Sequence, residues 1–287
     1  SCSCVVEINF FHGNLCQRYV IFTSFESRPM KIISSINNHK IKYLKKLRSN
    51  NSFRKKEKKF YVEGLKEIML CIDSGFIIDS IYCSSKFNGI LESNTLKIDY
   101  VIDNKIMSQI IIRETEGVFG IFNNKLNDIS SVKFANDEFV LVLDRPEKPG
   151  NVGAIFRSFE AFGFKNIIIA ETNLDTYNPI IIRSSLGAVF KLNIFKLTFP
   201  QIKNLLKKEK FKIISSDVDA KIPYTNANLK EKIALIMGPE KSKVSDDFKK
   251  ISDAVIGIPM YGDVDSLNLS VATAIILSES VNQRKIS

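Results

Sequence analysis

Histidine and cysteine are scarce in this chain, with two His and five Cys among 287 residues. His12 and His39 are far apart, and no His/Cys/Asp group has metal-ligand spacing, so a catalytic metal is not expected. The same scarcity argues against a Ser-His or Cys-His nucleophile, which would lack its base. Cys2, Cys4, Cys16, Cys71 and Cys83 are odd in number and include no Cys-x-x-Cys pair; no disulfide framework is implied, and a reducing cytoplasm is the expected compartment. No apolar stretch reaches the roughly 18 residues of a membrane span. Internal repeats are absent, as are low-complexity tracts beyond one lysine cluster.

Positive charge is plentiful and concentrated. Residues 31–59 hold eleven Lys or Arg against Glu57 alone, a local excess of +10 that equals the net charge of the whole chain. So local a field points to a phosphate backbone, with Lys42, Lys45, Lys46, Arg48, Arg54, Lys55 and Lys56 as candidate RNA contacts. A solvated basic helix is the plainer reading of any charge run. At 45% hydrophobic, the chain has enough apolar surface for two domains.

From Phe60 to about Asn124 short strand-like and helix-like stretches alternate: Phe60 to Val62, Leu65 to Cys71, Ile77 to Tyr82, Leu96 to Ile102 and Gly117 to Phe122. This predicts a small α/β domain. Residues 125–137 are polar with few apolar anchors and are read as a linker, so the expected domains are 30–124 and 138–287. Residues 1–29 fit neither. They do not begin with Met, they precede Met30, and they lack the basic start and apolar core of a signal peptide; they are expected to be a leader without ordered structure, and upstream sequence read as coding.

Three stretches in the second half carry the chemistry. The apolar run Phe139 to Leu143 is followed by Pro146, Pro149 and Gly150, then by Asn151, Gly153 and Arg157 in a segment of helical period. Strand, tight loop and helix in that order bring main-chain N–H groups and a helix N-terminus to one point, within reach of an arginine fork. The strand Ile233 to Met237 ends in Gly238, Pro239 and Glu240; the strand Ala254 to Ile258 leads through Pro259, Met260 and Gly262 to Ser266, Leu267 and Asn268, then into an apolar helix. Special loops at three strand ends suit a ligand site in an open α/β sheet. Singly each has a bland reading, Asn151 or Ser266 to Asn268 as helix caps and Gly238-Pro239 as a strand-ending turn. Phe156, Phe159 and Phe162 read as core.

Asn-x-Gly-x-x-x-Arg, Gly-x-Glu and Ile-Pro-Met with Ser-Leu-Asn resemble, in order, the three motifs of the SpoU (TrmH-like) RNA ribose 2′-O-methyltransferases, over roughly residues 138–283. The resemblance implies a SPOUT fold, an α/β domain with a C-terminal trefoil knot and obligate dimerisation, and S-adenosylmethionine as donor. It implies Asn151 and Arg157 at the reacting ribose with Glu240 near Arg157, and the donor against Gly238, Ile258 and Leu267 with Ser266 and Asn268 lining the pocket. Residues 60–64 and 116–120 are similar, more loosely, to the L30e-like substrate-binding domain of many family members. Lys243 stands near a bend where the family usually has glycine; were φ positive there, it would strain the loop by about 1 kcal/mol or more. Lys148 replaces an acidic residue common before Pro149.

Two rivals are weighed against that reading. Gly150, Gly153 and Glu171 imitate a dinucleotide-binding unit, but the three-glycine fingerprint is incomplete, which ranks an NAD-linked oxidoreductase well below the methyltransferase. A non-catalytic RNA-binding protein that keeps the fold is the second. Ribosomal RNA is mildly preferred over transfer RNA as substrate.

Overall fold

The computed structural model describes residues 4–12, 15–23, 31–86, 96–111, 117–125, 127–239 and 242–285. Strands β1 (Cys4–His12) and β2 (Leu15–Thr23) pair antiparallel as a separate two-stranded sheet, so the expected unstructured leader has a strand pair of its own.

The basic segment folds as α1 (His39–Ser49) and α2 (Asn51–Glu57), after the short strand β3 (Lys31–Ile33). Asn38 and Asn50 cap the two helices by accepting from Lys40 N and Phe53 N, and Lys46 and Arg48 in the last turn of α1 complement its dipole. With β4 (Lys59–Glu63), α3 (Leu65–Asp73), β5 (Ile78–Ser84), β6 (Tyr100–Ile102), α4 (Asn104–Met107) and β7 (Val118–Asn123) they build a five-stranded mixed sheet of order β3-β6-β5-β7-β4. Every expected element between Phe60 and Phe122 is present; the stretch from Leu96 shortens to Tyr100–Ile102, while the others are shifted or lengthened at their ends by one or two residues.

The second half is a seven-stranded, wholly parallel sheet. Its elements are β8 (Phe139–Asp144), α5 (Pro149–Ala161), β9 (Asn166–Ala170), α6 (Pro179–Ser184), β10 (Asn193–Leu197), α7 (Phe199–Lys208), β11 (Lys212–Ser216), β12 (Ile222–Pro223), β13 (Ile233–Met237), α8 (Asp246–Ile251), β14 (Ala254–Gly257) and α9 (Leu269–Lys285). The strand order is β10-β9-β8-β13-β11-β14-β12. β8, β9 and β13 are buried throughout, and apolar but for Asp144 and Asn166 at strand ends, because both faces of a parallel sheet are covered. Phe139, Leu141 and Leu143 join the cluster of Ile155, Phe156, Phe159, Ile276 and Leu277 from α5 and α9. Val140 and Val142 join that of Ile202, Leu206 and Phe248 from α7 and α8. Phe156 and Phe159 are buried and Phe162 half-buried, as expected for core.

The first of those clusters does not stop at the sheet. It continues through Tyr177 and Phe190 into Phe60, Phe76 and Phe122 of the amino-terminal unit, and Phe60 stacks on Tyr177 with ring centroids 4.5 Å apart. Aromatic pairs of this kind contribute about 0.5–1.5 kcal/mol beyond their burial.

Candidate active site

Four loops meet at the carboxyl ends of the central strands. After β8, Pro149 opens α5 at a position where a missing N–H costs nothing. Gly153, one turn in, lies where a Cβ would sit 1.8 Å from Ser184 Oγ and 2.7 Å from the Ile181 carbonyl oxygen; only glycine lets α5 and α6 approach this closely. Arg157, a turn further, is exposed.

Gly238 ends β13 for a similar reason. A Cβ there would meet Val244 N at 2.7 Å and the Lys243 carbonyl carbon at 3.0 Å, because the chain returns past the strand end on its way to α8. Ser245 N then donates to Asp144 Oδ2 at 2.8 Å, docking that return onto the end of β8. Asp144 is almost wholly buried and ends an otherwise apolar strand, a signal that sequence reasoning passed over. β14 ends in Gly257, whose missing Cβ would lie 2.9 Å from the Asp217 carbonyl oxygen and 3.2 Å from Ala220 Cβ, so the loop after β11 closes the same group. Two ion pairs tie that loop to the β13 return: Lys249 to Asp217 and Lys243 to Asp219.

Lys243 has no left-handed backbone; among the described residues that conformation falls on Lys58, Arg145, Glu171, Leu186 and Lys210 outside glycine. The strain considered for it is therefore not there, and its ammonium serves as a surface cross-link. Lys148 is exposed ahead of α5, without a side-chain capping bond.

The third loop brings the decisive contact. Asn268 Nδ2 donates to Asn151 Oδ1 at 3.1 Å, joining residues 117 positions apart, while Asn268 Oδ1 accepts from Ser270 N at 2.8 Å at the entrance to α9. Asn268 thus both caps α9 and meets Asn151. Ile258 and Leu267 are half-buried and Ser266 is exposed. Glu240 lies outside the described residues. Asn151, Gly153, Arg157, Gly238, Ile258, Ser266, Leu267 and Asn268 all belong to loops or helices that follow β8, β13 and β14, offering amide, hydroxyl, guanidinium and main-chain groups. Among the described residues no His/Cys/Asp/Glu group could hold a metal ion.

The SpoU rRNA Methylase family model matches residues 138–278, and a chain named as an uncharacterized tRNA/rRNA methyltransferase of Borreliella burgdorferi is 33% identical over 202 residues, covering 68% of this chain and 87% of that one. The chain belongs to the SpoU family. An MRM3-like substrate binding domain model matches residues 38–119. The 23S rRNA (guanosine(2553)-2′-O)-methyltransferase of Bacillus subtilis is 27% identical over 86% of this chain and 98% of its own length. A crystal structure of an RNA 2′-O ribose methyltransferase superposes with a TM-score of 0.79 at 26% identity, covering 88% of this chain and 99% of that one. The AdoMet complex of the SpoU methyltransferase AviRb from Streptomyces viridochromogenes shares the fold, with a TM-score of 0.80 at 22% identity over 87% and 99% of the two chains.

The remaining expectations divide on the structure. The dinucleotide alternative loses its ribose carboxylate, since Glu171 Oε1 accepts from Phe199 N at 2.7 Å at the start of α7, and Gly153 is packed against α6 rather than open to a ligand. Of the basic candidates, Lys42, Lys46 and Lys56 are exposed. Lys46 lies over the Phe53 ring, Lys45 Nζ bonds Gln109 Oε1 at 3.2 Å, and Arg48 donates to the Ile110 carbonyl. Arg54 corrects the expectation: only 4% exposed, it pairs with Asp175 in the second half and is not at the surface. Lys55, although exposed, donates to the Asn173 carbonyl at 3.0 Å. A charge count along the chain cannot tell a solvated lysine from one bound across an interface. No helix among the described residues is long and apolar enough to cross a membrane.

Proposed function

We propose that this protein methylates a ribose 2′-OH of structured RNA, with S-adenosylmethionine as donor and ribosomal RNA favoured over transfer RNA. The observation that carries the reading is the Asn151–Asn268 contact, which joins the first and third family motifs. The B. subtilis relative, named for the same reaction on 23S rRNA, supports it across nearly its whole length.

S-adenosylmethionine, when bound, supplies an electrophilic methyl on a sulfonium. Gly238, Ile258 and Leu267 would hold it largely through main-chain groups, with Ser266 and Asn268 lining the pocket; their small, amide, hydroxyl and apolar character fits a donor with an uncharged base and a zwitterionic tail. Asn151 and Arg157 would position the ribose, and holding the two partners as one unit supplies most of the rate. Arg157 is a poor base, since a guanidinium is a donor with no acceptor lone pair to take the hydroxyl proton. It would instead orient the adjacent phosphate and stabilise the developing alkoxide, with the proton passing to phosphate or water. Glu240 is assigned beside it by resemblance.

Lys42, Lys45, Lys46, Lys55 and Lys56 are proposed to steer the RNA backbone, each phosphate contact adding about 0.7–0.9 to the slope of log K against log salt. The division into a substrate-binding domain over 30–124, a linker over 125–137 and a catalytic domain over 138–287 is part of the same reading. So are the trefoil knot at the meeting loops, a homodimer formed through the catalytic domain, and a cytoplasmic location.

Calorimetric titration with S-adenosylmethionine and its demethylated product tests the proposal, with Gly238→Trp as the blocked control. Binding by the native chain that is lost in the control is expected. A folded protein that holds RNA but neither nucleoside would be a non-catalytic RNA-binding protein. Arg157→Lys should lose at least tenfold in turnover, because an ammonium cannot reproduce the planar fork; near-normal turnover would remove the role given to Arg157.

A further inference from the structure

We infer that Arg54 is a positioning residue, which fixes the basic amino-terminal unit against the helix that carries Asn151 and Arg157 and so sets where bound RNA presents its ribose. The inference rests on the methyltransferase reading. Its physical basis is a continuous set of contacts from one unit to the other.

Arg54 Nε donates to Asp175 Oδ2 at 2.5 Å, and its Nη1 donates to the carbonyls of Leu47 at 2.7 Å and Arg48 at 2.8 Å. The guanidinium therefore ties together the end of α1, helix α2 and the segment that follows β9. Side-chain exposure at the pair is 4% for Arg54 and 12% for Asp175, so water screens it little. Two more cations hold the same short segment. Lys55 donates to the Asn173 carbonyl, and Lys196 of β10 to the Leu174 carbonyl. Burial holds the Lys196 ammonium below its ordinary pKa, with Asp175 opposing and nearby Lys55 adding to the shift.

Asp175 passes the constraint on. Its Oδ1 accepts from Tyr177 N at 3.1 Å, and Tyr177 stacks on Phe60 of the amino-terminal unit. Asn178 then caps α6 by accepting from Ile180 N at 2.9 Å. Helix α6 lies against Gly153 of α5 at a separation that admits no Cβ. Arg54 is thus linked to the catalytic helix through Asp175, Tyr177 and α6, each link a bond or a packed contact. A surface cation meant for RNA would not be buried, nor matched to a carboxylate of the other unit.

The test compares native protein with Arg54→Met, Arg54→Lys and Asp175→Asn. It measures methyl transfer to an unmodified 23S ribosomal RNA transcript, S-adenosylmethionine affinity, and hydrogen exchange over residues 149–157 and 173–184. For Arg54→Met we expect turnover to fall on the order of 10²-fold, the effect of misplacing reacting groups by about 1 Å, with RNA KM and donor affinity within about threefold of native. Arg54→Lys should recover part of the loss, and exchange should rise in both segments while β13 is unchanged. Should Arg54→Met not fold, the lysine and asparagine variants carry the same comparison. Unchanged turnover in a folded variant would overturn the inference. A rise in RNA KM alone would make Arg54 an ordinary RNA contact, and a matching loss of donor affinity would make its role merely structural. If the native chain transfers no methyl, the methyltransferase reading fails; exchange then decides the positioning role, and unchanged exchange in both segments refutes it.

Discussion

Two glycines in the same helix should respond to alanine in opposite directions. At Gly153 the added Cβ would sit 1.8 Å from Ser184 Oγ and 2.7 Å from the Ile181 carbonyl oxygen. The hydroxyl can rotate away, giving up its 2.7 Å bond to the Ile180 carbonyl, but the Ile181 oxygen is backbone and moves only with α6. Overpacking of this kind costs about 1–3 kcal/mol, against which alanine returns up to about 1 kcal/mol of helix propensity. At Gly150 nothing lies within 4 Å of the added carbon and φ is not positive, so only the propensity gain remains. The two variants should therefore differ by about 1–3 kcal/mol in urea unfolding, or several degrees in Tm at about 2–4 °C per kcal/mol. Gly153→Ala should also lose turnover, because separating α5 from α6 moves Asn151 and Arg157 together. Equal midpoints for the two variants would refute the packing argument, since helix propensity alone predicts two similar gains.

Gly238→Ala should weaken S-adenosylmethionine binding at least tenfold in calorimetry, because its Cβ meets the main chain of Lys243 and Val244, which cannot rotate aside. Lys243→Ala removes an ion pair whose partners are 51% and 68% exposed, so unfolding midpoints should move by less than about 1 kcal/mol and donor affinity should hold. Burial pushes the Cys83 thiol up to about 11 and Cys71 higher still. With the folded pKa above the unfolded value of about 8.5, this contribution to stability is complete below that value and is lost as pH rises toward 11. Denaturant midpoints should fall progressively above pH 9, and a thiol reagent at pH 8 should modify these two cysteines only on unfolding; rapid modification of the folded chain would contradict their burial.

Local pattern carried much of this protein. The apolar runs of β8, β9 and β13 and the helical periods of α5 and α9 are legible because a strand buried on two faces, or a helix buried on one, writes its environment into consecutive residues. The candidate site was proposed from a different pattern: Asn151, Gly238 and Ser266 to Asn268 each lie in a loop or helix start that follows a strand, where backbone and ligand requirements restrict the residue type. Glu240 adds nothing to that comparison, lying outside the described residues. What the sequence determined by itself was therefore the elements, their class and the candidates for the reacting groups. Tertiary structure decided the rest. It made Arg54 a buried tie to Asp175 rather than a surface cation, engaged Glu171 at the start of α7, gave Asp144 the Ser245 amide, and explained Gly153 by the closeness of α6. These depend on partners 28 to 121 positions away, and no short-range periodicity records which distant residue a side chain will meet.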